Sequence, residues 1–415
     1  MLSLFFNFFE MLFLSPIFFI FSVIFGICFI FFLLFRSTFT LSRLYSLCLF
    51  LTCLLFGYYF LVTLLYCFSP NFLDHSEPLT AITSLRLFQG FSVYPLPESG
   101  QITSVLYGPI IYIINGLFYL ISPFDTLPSL KLSGAVLALG SFSLLFYTLY
   151  RQFSIRHAVC GLLFYMVIVF NFYQRFIWIR PDSLILFSCA LFCFSLFSRH
   201  RLIFIFFSGL AVAFAINAKV HSLFYFLPLL PVIYARQGCK NTFLAILTAI
   251  FFTFLPFSHP SISFTNYIFW LNAAAIHGVN LSYALSIFVT GLILISPIVL
   301  LFGVNIIYDL RRNDSRFRFL HPLRFAFYLL ILCVVFVCII GSKPGSGVLH
   351  LMPFTAVVIV FFFIYLDWIQ NNTQLTVHFS SFSPYFIYLL IIPLFFTFSS
   401  RMVWPQLSVI NILAH

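Results

Sequence analysis

The stretch "IFFIFSVIFGICFIFFLLF" (17–35) runs for nineteen residues without a charge. A run of that length matches the hydrocarbon core of a bilayer, where only a helix satisfies its own backbone hydrogen bonds within one segment. It is one of about a dozen such runs, near 11–35, 44–68, 131–150, 157–174, 183–198, 202–216, 222–235, 243–257, 283–307, 325–341, 350–366 and 383–399. The expected fold is therefore all-α: a polytopic transmembrane helix bundle of about 12–13 spans. Composition agrees, with 63% hydrophobic residues, 7% charged residues and a mean hydropathy of +1.13. The N-terminal run begins without a basic region and is too long for a cleaved signal peptide, so it reads as a retained span.

Lys and Arg gather in short cytoplasmic loops. Arg36/Arg43, Arg151/Arg156, Arg199/Arg201, Arg236/Lys240 and "DLRRNDSRFRFLHPLR" (309–324) fall on alternate connections and so share one face. The opposite, non-cytoplasmic face is expected to receive 69–104, 122–130, 175–182, 217–221, 258–282, 342–349 and the C-terminus. The segment "VLYGPIIYIINGLFYLI" (105–121) breaks this parity and is expected to be an interfacial or re-entrant helix. Three regions follow: N-terminal spans 1–68, a first outer loop 69–121 with interfacial helices, and the remaining bundle 122–415.

The net charge of +11 is spread over loops rather than clustered on a hydrophilic face, so no nucleic-acid partner is expected. The 10 cysteines lie mostly inside apolar runs without CxxC spacing, which argues for packing roles rather than disulfides or zinc. Neither a Walker nor a dinucleotide-binding glycine pattern occurs.

Charged groups at a membrane boundary are costly to keep and tend to mark function, which directs attention to the outer loops. "DHSEP" supplies Asp74 and Glu77 around His75. Their three-residue spacing puts both carboxylates on one side of a helical turn, suiting either a general base or a pair of divalent-metal ligands. Capping of an interfacial helix explains them equally well. "QRFIWIRPDS" (174–183) adds Arg175, Arg180 and Asp182: an ion pair, or an arginine for a phosphate with an aspartate to orient it. "AINAKVHS" (215–222) brings Lys219 and His221, where a snorkelling lysine weighs evenly against a ligand role. "GSKPGSGVLHLMPF" (341–354) joins three glycines to Lys343 and His350, a composition suited to an amide nest for an anion.

In order, these pieces resemble the GT-C superfamily of integral membrane glycosyltransferases, such as protein O-mannosyltransferases and aminoarabinose transferases. An acidic first outer loop is followed by Gly90 and Tyr94-Pro95, by "YGPIIY" (107–112), by Arg180-Pro181-Asp182, by "GLAVAFAINAKV" (209–220), and by the glycine-rich loop before Met352-Pro353. The chain differs from members with a second aspartate beside the first, having His75 and Glu77 there. The resemblance implies a sugar donor carried on a polyprenyl phosphate or pyrophosphate, and a lipid, glycan or protein acceptor bearing a hydroxyl. It also implies a multi-pass protein of a bacterial inner membrane or the endoplasmic reticulum, surrounded by membrane lipids, with its site on the periplasmic or luminal face.

On that basis Asp74 is the expected base, its proton affinity raised near the low-dielectric boundary, with Glu77 positioning the acceptor or assisting. Arg180, Lys219, Lys343 and His350 are expected at the donor phosphate, helped by the amides of 345–347 and supported by Tyr107, Asp182 and His221. No metal ligand is assigned, although a divalent metal stays open. A multi-pass transporter or lipid flippase is the competing reading.

Overall fold

A computed structural model of the chain describes residues 41–99, 107–170, 177–275, 278–312, 322–343 and 347–372. The described residues form helices and connecting turns, with no strand among them. In chain order the helices are α1 (Leu41–Phe68), α2 (Ser76–Phe88), α3 (Ile110–Ile121), α4 (Thr126–Gln152), α5 (Ile155–Phe170) and α6 (Pro181–Leu196). They continue with α7 (Arg201–Ala218), α8 (Leu230–Phe254), α9 (Phe264–Ala275), α10 (Leu281–Arg312), α11 (Pro322–Gly341) and α12 (Phe354–Asn372).

Seven segments among the described residues are long and apolar enough to cross a membrane, which makes this a multi-pass helical bundle. The expected twelve to thirteen crossings differ from seven for three reasons. The expected crossings 11–35 and 383–399 lie outside the described residues. Helices α5 and α6 are described over 16 residues each, shorter than any of the seven, and α5 ends where the described residues break off at Phe170. The expected crossings 222–235 and 243–257 form one continuous apolar segment, Val220–Ser258.

That segment turns back on itself at Gly238, whose φ of 75° and ψ of 168° break α8 into two arms. A positive φ favours glycine, which lacks the Cβ that would clash. At this break Gln237 Nε2 donates to the Ser198 carbonyl (3.3 Å), and the Arg236 guanidinium covers the Phe197 ring at 4.8 Å. The second arm then runs parallel to α7, until Asn217 Nδ2 donates to the Thr253 carbonyl at 3.0 Å. So 220–237 and 239–254 each travel the length of the bundle, as separate crossings do.

The same cross-checks orient the rest of the bundle. Tyr59 Oη donates to the Met166 carbonyl (2.6 Å) and Thr52 Oγ1 to the Cys48 and Val159 carbonyls, so α1 and α5 run parallel. The connections holding Arg151/Arg156, Arg199/Arg201 and Arg236/Lys240 meet at one end, where the Arg156 guanidinium lies 5.9 Å from the Tyr45 ring. The connections around 69–74, 179–182, 219–221 and 342–350 meet at the other. This is the alternation expected from the basic residues.

Helix α3 is 12 residues long, about 18 Å, too short for a hydrocarbon core of roughly 30 Å. Gly116 lets it press against the Phe88 ring of α2, while Ser133 Oγ of α4 donates to Asn115 Oδ1 at 2.6 Å. Helices α2 and α3 thus lie over the end of the bundle that carries Asp74. The packing centre is α12, buried continuously from Phe354 to Phe363, whereas α1 turns Phe50, Leu54, Phe60 and Leu61 outward. A helix apolar all round serves either place, burial or lipid.

Candidate functional site

Four charged side chains from three connections form a chain of alternating sign. Arg180 Nη1 lies 3.2 Å from Asp74 Oδ2, Arg180 Nε 3.1 Å from Asp182 Oδ2, and Lys219 Nζ 2.7 Å from Asp182 Oδ1. Asp182 is buried and the other three side chains are nearly so. A buried charge without a partner costs several kcal/mol, so alternation is what lets these groups stay ionised away from water.

Local sequence explains how each is aimed. Pro181 occupies the first turn of α6, and the residue before a proline is pushed out of the helical region, so Arg180 is extended (φ −142°, ψ 159°). Gly134 of α4 lets the 177–180 connection sit close: a Cβ there would lie 2.5 Å and 2.6 Å from the carbonyl oxygens of Ile177 and Trp178. Gly108 does the same against the backbone of Asn217, seating Tyr107 with its ring 5.9 Å from the Lys219 ammonium. His350 Nδ1 and His221 Nε2 stand 2.8 Å apart, and Tyr225 Oη donates to the His350 carbonyl at 2.7 Å. This imidazole pair is within electrostatic reach of Asp182 and Lys219.

The two acidic residues of the first outer loop do different things. Asp74 opens toward Arg180, with its Oδ1 accepting from the Ser76 amide (2.9 Å) and hydroxyl. Glu77 is fully buried and turned inward. Its Oε2 accepts from the amides of Leu73 (2.6 Å) and Asp74 (3.1 Å), and its Oε1 from Tyr66 Oη and the Ile179 amide (3.2 Å). Glu77 therefore ties the Asp74 loop to the Arg180 connection, and its oxygens are occupied by this chain's own donors. That geometry gives it a hold on the loop that presents Asp74.

Electrostatics reverses one expectation. Burial pushes the Asp74 carboxyl up, but the Ser76 hydrogen bond and the Arg180 charge outweigh it and leave Asp74 below the ordinary carboxylate range. For Glu77 burial prevails over its four donors and the pKa is raised. The raised proton affinity thus belongs to the inward acid, while Asp74 is held ionised. Arg180 is desolvated, yet Asp182, Tyr107 and Asp74 raise its pKa further, so it is a permanent cation.

Sequence reasoning missed Lys131. Its fully buried ammonium donates to the carbonyls of Tyr66 (3.2 Å), Ser69 (2.7 Å) and Asn71 (2.7 Å), and lies 4.6 Å from the Tyr66 ring centre. A lysine at the start of an apolar run was the available signal.

The expected anion nest is altered. The Gly347 amide donates to the Gly341 carbonyl at 2.8 Å and so is spent within the chain, while 345 and 346 lie outside the described residues. Lys343 is half-buried on that connection, without an ion pair among the described residues. Arg175 lies outside them as well.

No protein-family model matches this chain, and no curated protein matches it. Its chemistry is therefore read from the side chains themselves. No group of three or more His, Cys, Asp or Glu among the described residues is placed to hold a metal ion. Asp74 and Asp182 meet on the one Arg180 guanidinium, and Asp182 also takes the Lys219 ammonium.

Proposed function

We propose that this chain is an inverting glycosyltransferase of the GT-C kind. It would move a sugar from a polyprenyl phosphate or pyrophosphate to a hydroxyl acceptor at the non-cytoplasmic end of the bundle. One observation carries the reading: an ionised, nearly buried carboxylate, Asp74, stands against a fixed guanidinium and ammonium at the end away from the basic connections.

In this reaction the acceptor hydroxyl oxygen bonds to the anomeric carbon as its proton passes to Asp74. The bond from that carbon to the donor's phosphate oxygen breaks, and the phosphate departs with the electron pair. Attack opposite the departing group inverts the configuration. Arg180 and Lys219 lie where charge develops on the departing phosphate, with Lys343 and His350 on the neighbouring connection. A carboxylate held below the ordinary range is a weak base but an ever-ready one, matching an acceptor whose proton is lost late, as the new bond forms.

The test is a radiolabelled polyprenyl-phosphate sugar supplied to the purified chain, reconstituted in sealed lipid vesicles, with a hydroxyl-bearing acceptor lipid. Label passing to the acceptor, and lost in D74N while the protein stays folded, supports the reading. Undiminished transfer by D74N removes Asp74 as base, and label that accumulates inside sealed vesicles without transfer favours a transporter or flippase.

A further inference from the structure

At the end of the bundle away from Asp74, α7 and the second arm of α8 border a groove of about 440 Å³ that the proposed reaction does not use. It is lined by Arg201, Leu202, Ile205, Leu244, Leu247 and Phe251, with Thr248 at its floor. Beside the groove the two helices touch: a Cβ on Gly209 would lie 2.6 Å from Thr248 Cβ and 3.0 Å from the Ala245 carbonyl. Its walls are apolar and open to the side of the bundle, with Leu202 78% and Phe251 61% exposed.

The mouth of the groove is cationic. Arg201 is the first residue of α7 and stands one turn before Ile205. Lys240 stands one turn before Leu244 on the second arm of α8, so the helical repeat places it above the same wall. Both side chains are exposed, and neither has an ion pair among the described residues. Arg199 and Arg236 lie on the two connections beside them. Because the two helices run parallel, both cations sit at the end of the groove where the two helices start. An apolar channel pointing into the bilayer beneath two unpaired cations is complementary to one kind of membrane component.

We propose that this groove binds one anionic phospholipid, its phosphate between Arg201 and Lys240 and one acyl chain against Ile205, Leu244, Leu247 and Phe251. The Arg and Lys stems contribute to the apolar wall while their heads meet the phosphate. The site is independent of the glycosyltransferase reading and is tested without any turnover.

The purified full chain in detergent is titrated with phosphatidylglycerol or phosphatidylcholine of the same acyl chains, and bound lipids are counted by native mass spectrometry. One phosphatidylglycerol is expected to bind at least ten-fold more tightly than phosphatidylcholine. R201Q/K240Q should remove that preference and leave phosphatidylcholine binding unchanged, and L244W, which fills the groove, should weaken both. R151Q/R156Q removes the same charge from another connection at the same end and should retain the preference. The proposal is overturned if R201Q/K240Q keeps the preference, or if R151Q/R156Q abolishes it equally, since bulk charge alone would then account for binding.

Discussion

Lys131 and Glu77 grip the same short loop by its opposite backbone polarities. The lysine takes the carbonyls of Tyr66, Ser69 and Asn71, and the glutamate takes the amides of Leu73 and Asp74. Between them the loop that presents Asp74 is fixed from both sides, and Glu77 extends the hold to Ile179, one residue before Arg180.

Lys131→Met keeps the length of the side chain and removes the donors. Each buried carbonyl left unmet costs about 1–3 kcal/mol. The midpoint of thermal unfolding of the purified protein should fall, and an unchanged midpoint would show that the loop carbonyls find other donors.

Gly134→Ala puts a methyl against the carbonyls of Ile177 and Trp178. Overpacking of this kind costs about 1–3 kcal/mol. The variant should unfold earlier and lose sugar transfer out of proportion to its stability, because the displaced connection carries Arg180. Loss of stability alone, with transfer per folded molecule intact, would separate the connection from the reaction.

Arg180→Lys keeps a positive charge but reaches one carboxylate where arginine bridges two. The loss of one charged hydrogen bond, about 1.5–3 kcal/mol, predicts a fall in transfer of roughly ten- to a hundred-fold. Turnover within two-fold of the parent would show that the bridge between Asp74 and Asp182 is dispensable.

The two acids of the outer loop should act oppositely on stability as pH changes. Asp74, depressed in the folded chain, stabilises above its ordinary value of 3.8 and loses that contribution as pH falls below it. Glu77 is raised above its ordinary 4.5, so the folded chain keeps a proton that the unfolded chain releases. From 4.5 up to its raised value, stability therefore falls as pH rises. Unfolding midpoints measured across this range should show E77Q flattening the decline above 4.5 and D74N flattening the loss below 3.8.

Much of the described fold was legible because basic residues mark one end of its hairpins. Arg151, Arg199, Arg236 and their neighbours set the direction of the crossings they join, and the parity they impose makes 105–121 interfacial unless another short segment fails to cross. The meeting of Asp74, Arg180, Asp182 and Lys219 was legible only as a shared face, since contact across three connections depends on close approaches at Gly134 and Gly108. A D-x-x-E spacing says that two acids neighbour one another, not which of them turns inward. The difference lies in Tyr66, eleven residues earlier, and Ile179, over a hundred later. The expected rise in Asp74's proton affinity considered desolvation alone, and missed Ser76, whose two donors lie two residues away.

The reversal at Gly238 makes that glycine a natural reporter of sidedness. Short of the break the chain travels one way, past it the other, so an epitope inserted there emerges beside Arg236 and Lys240 alone. A second epitope after Gln89, on the connection between α2 and α3, emerges at the opposite end. Antibody access to each in intact cells would say which compartment the Asp74 end faces, by a route that owes nothing to counting positive charges.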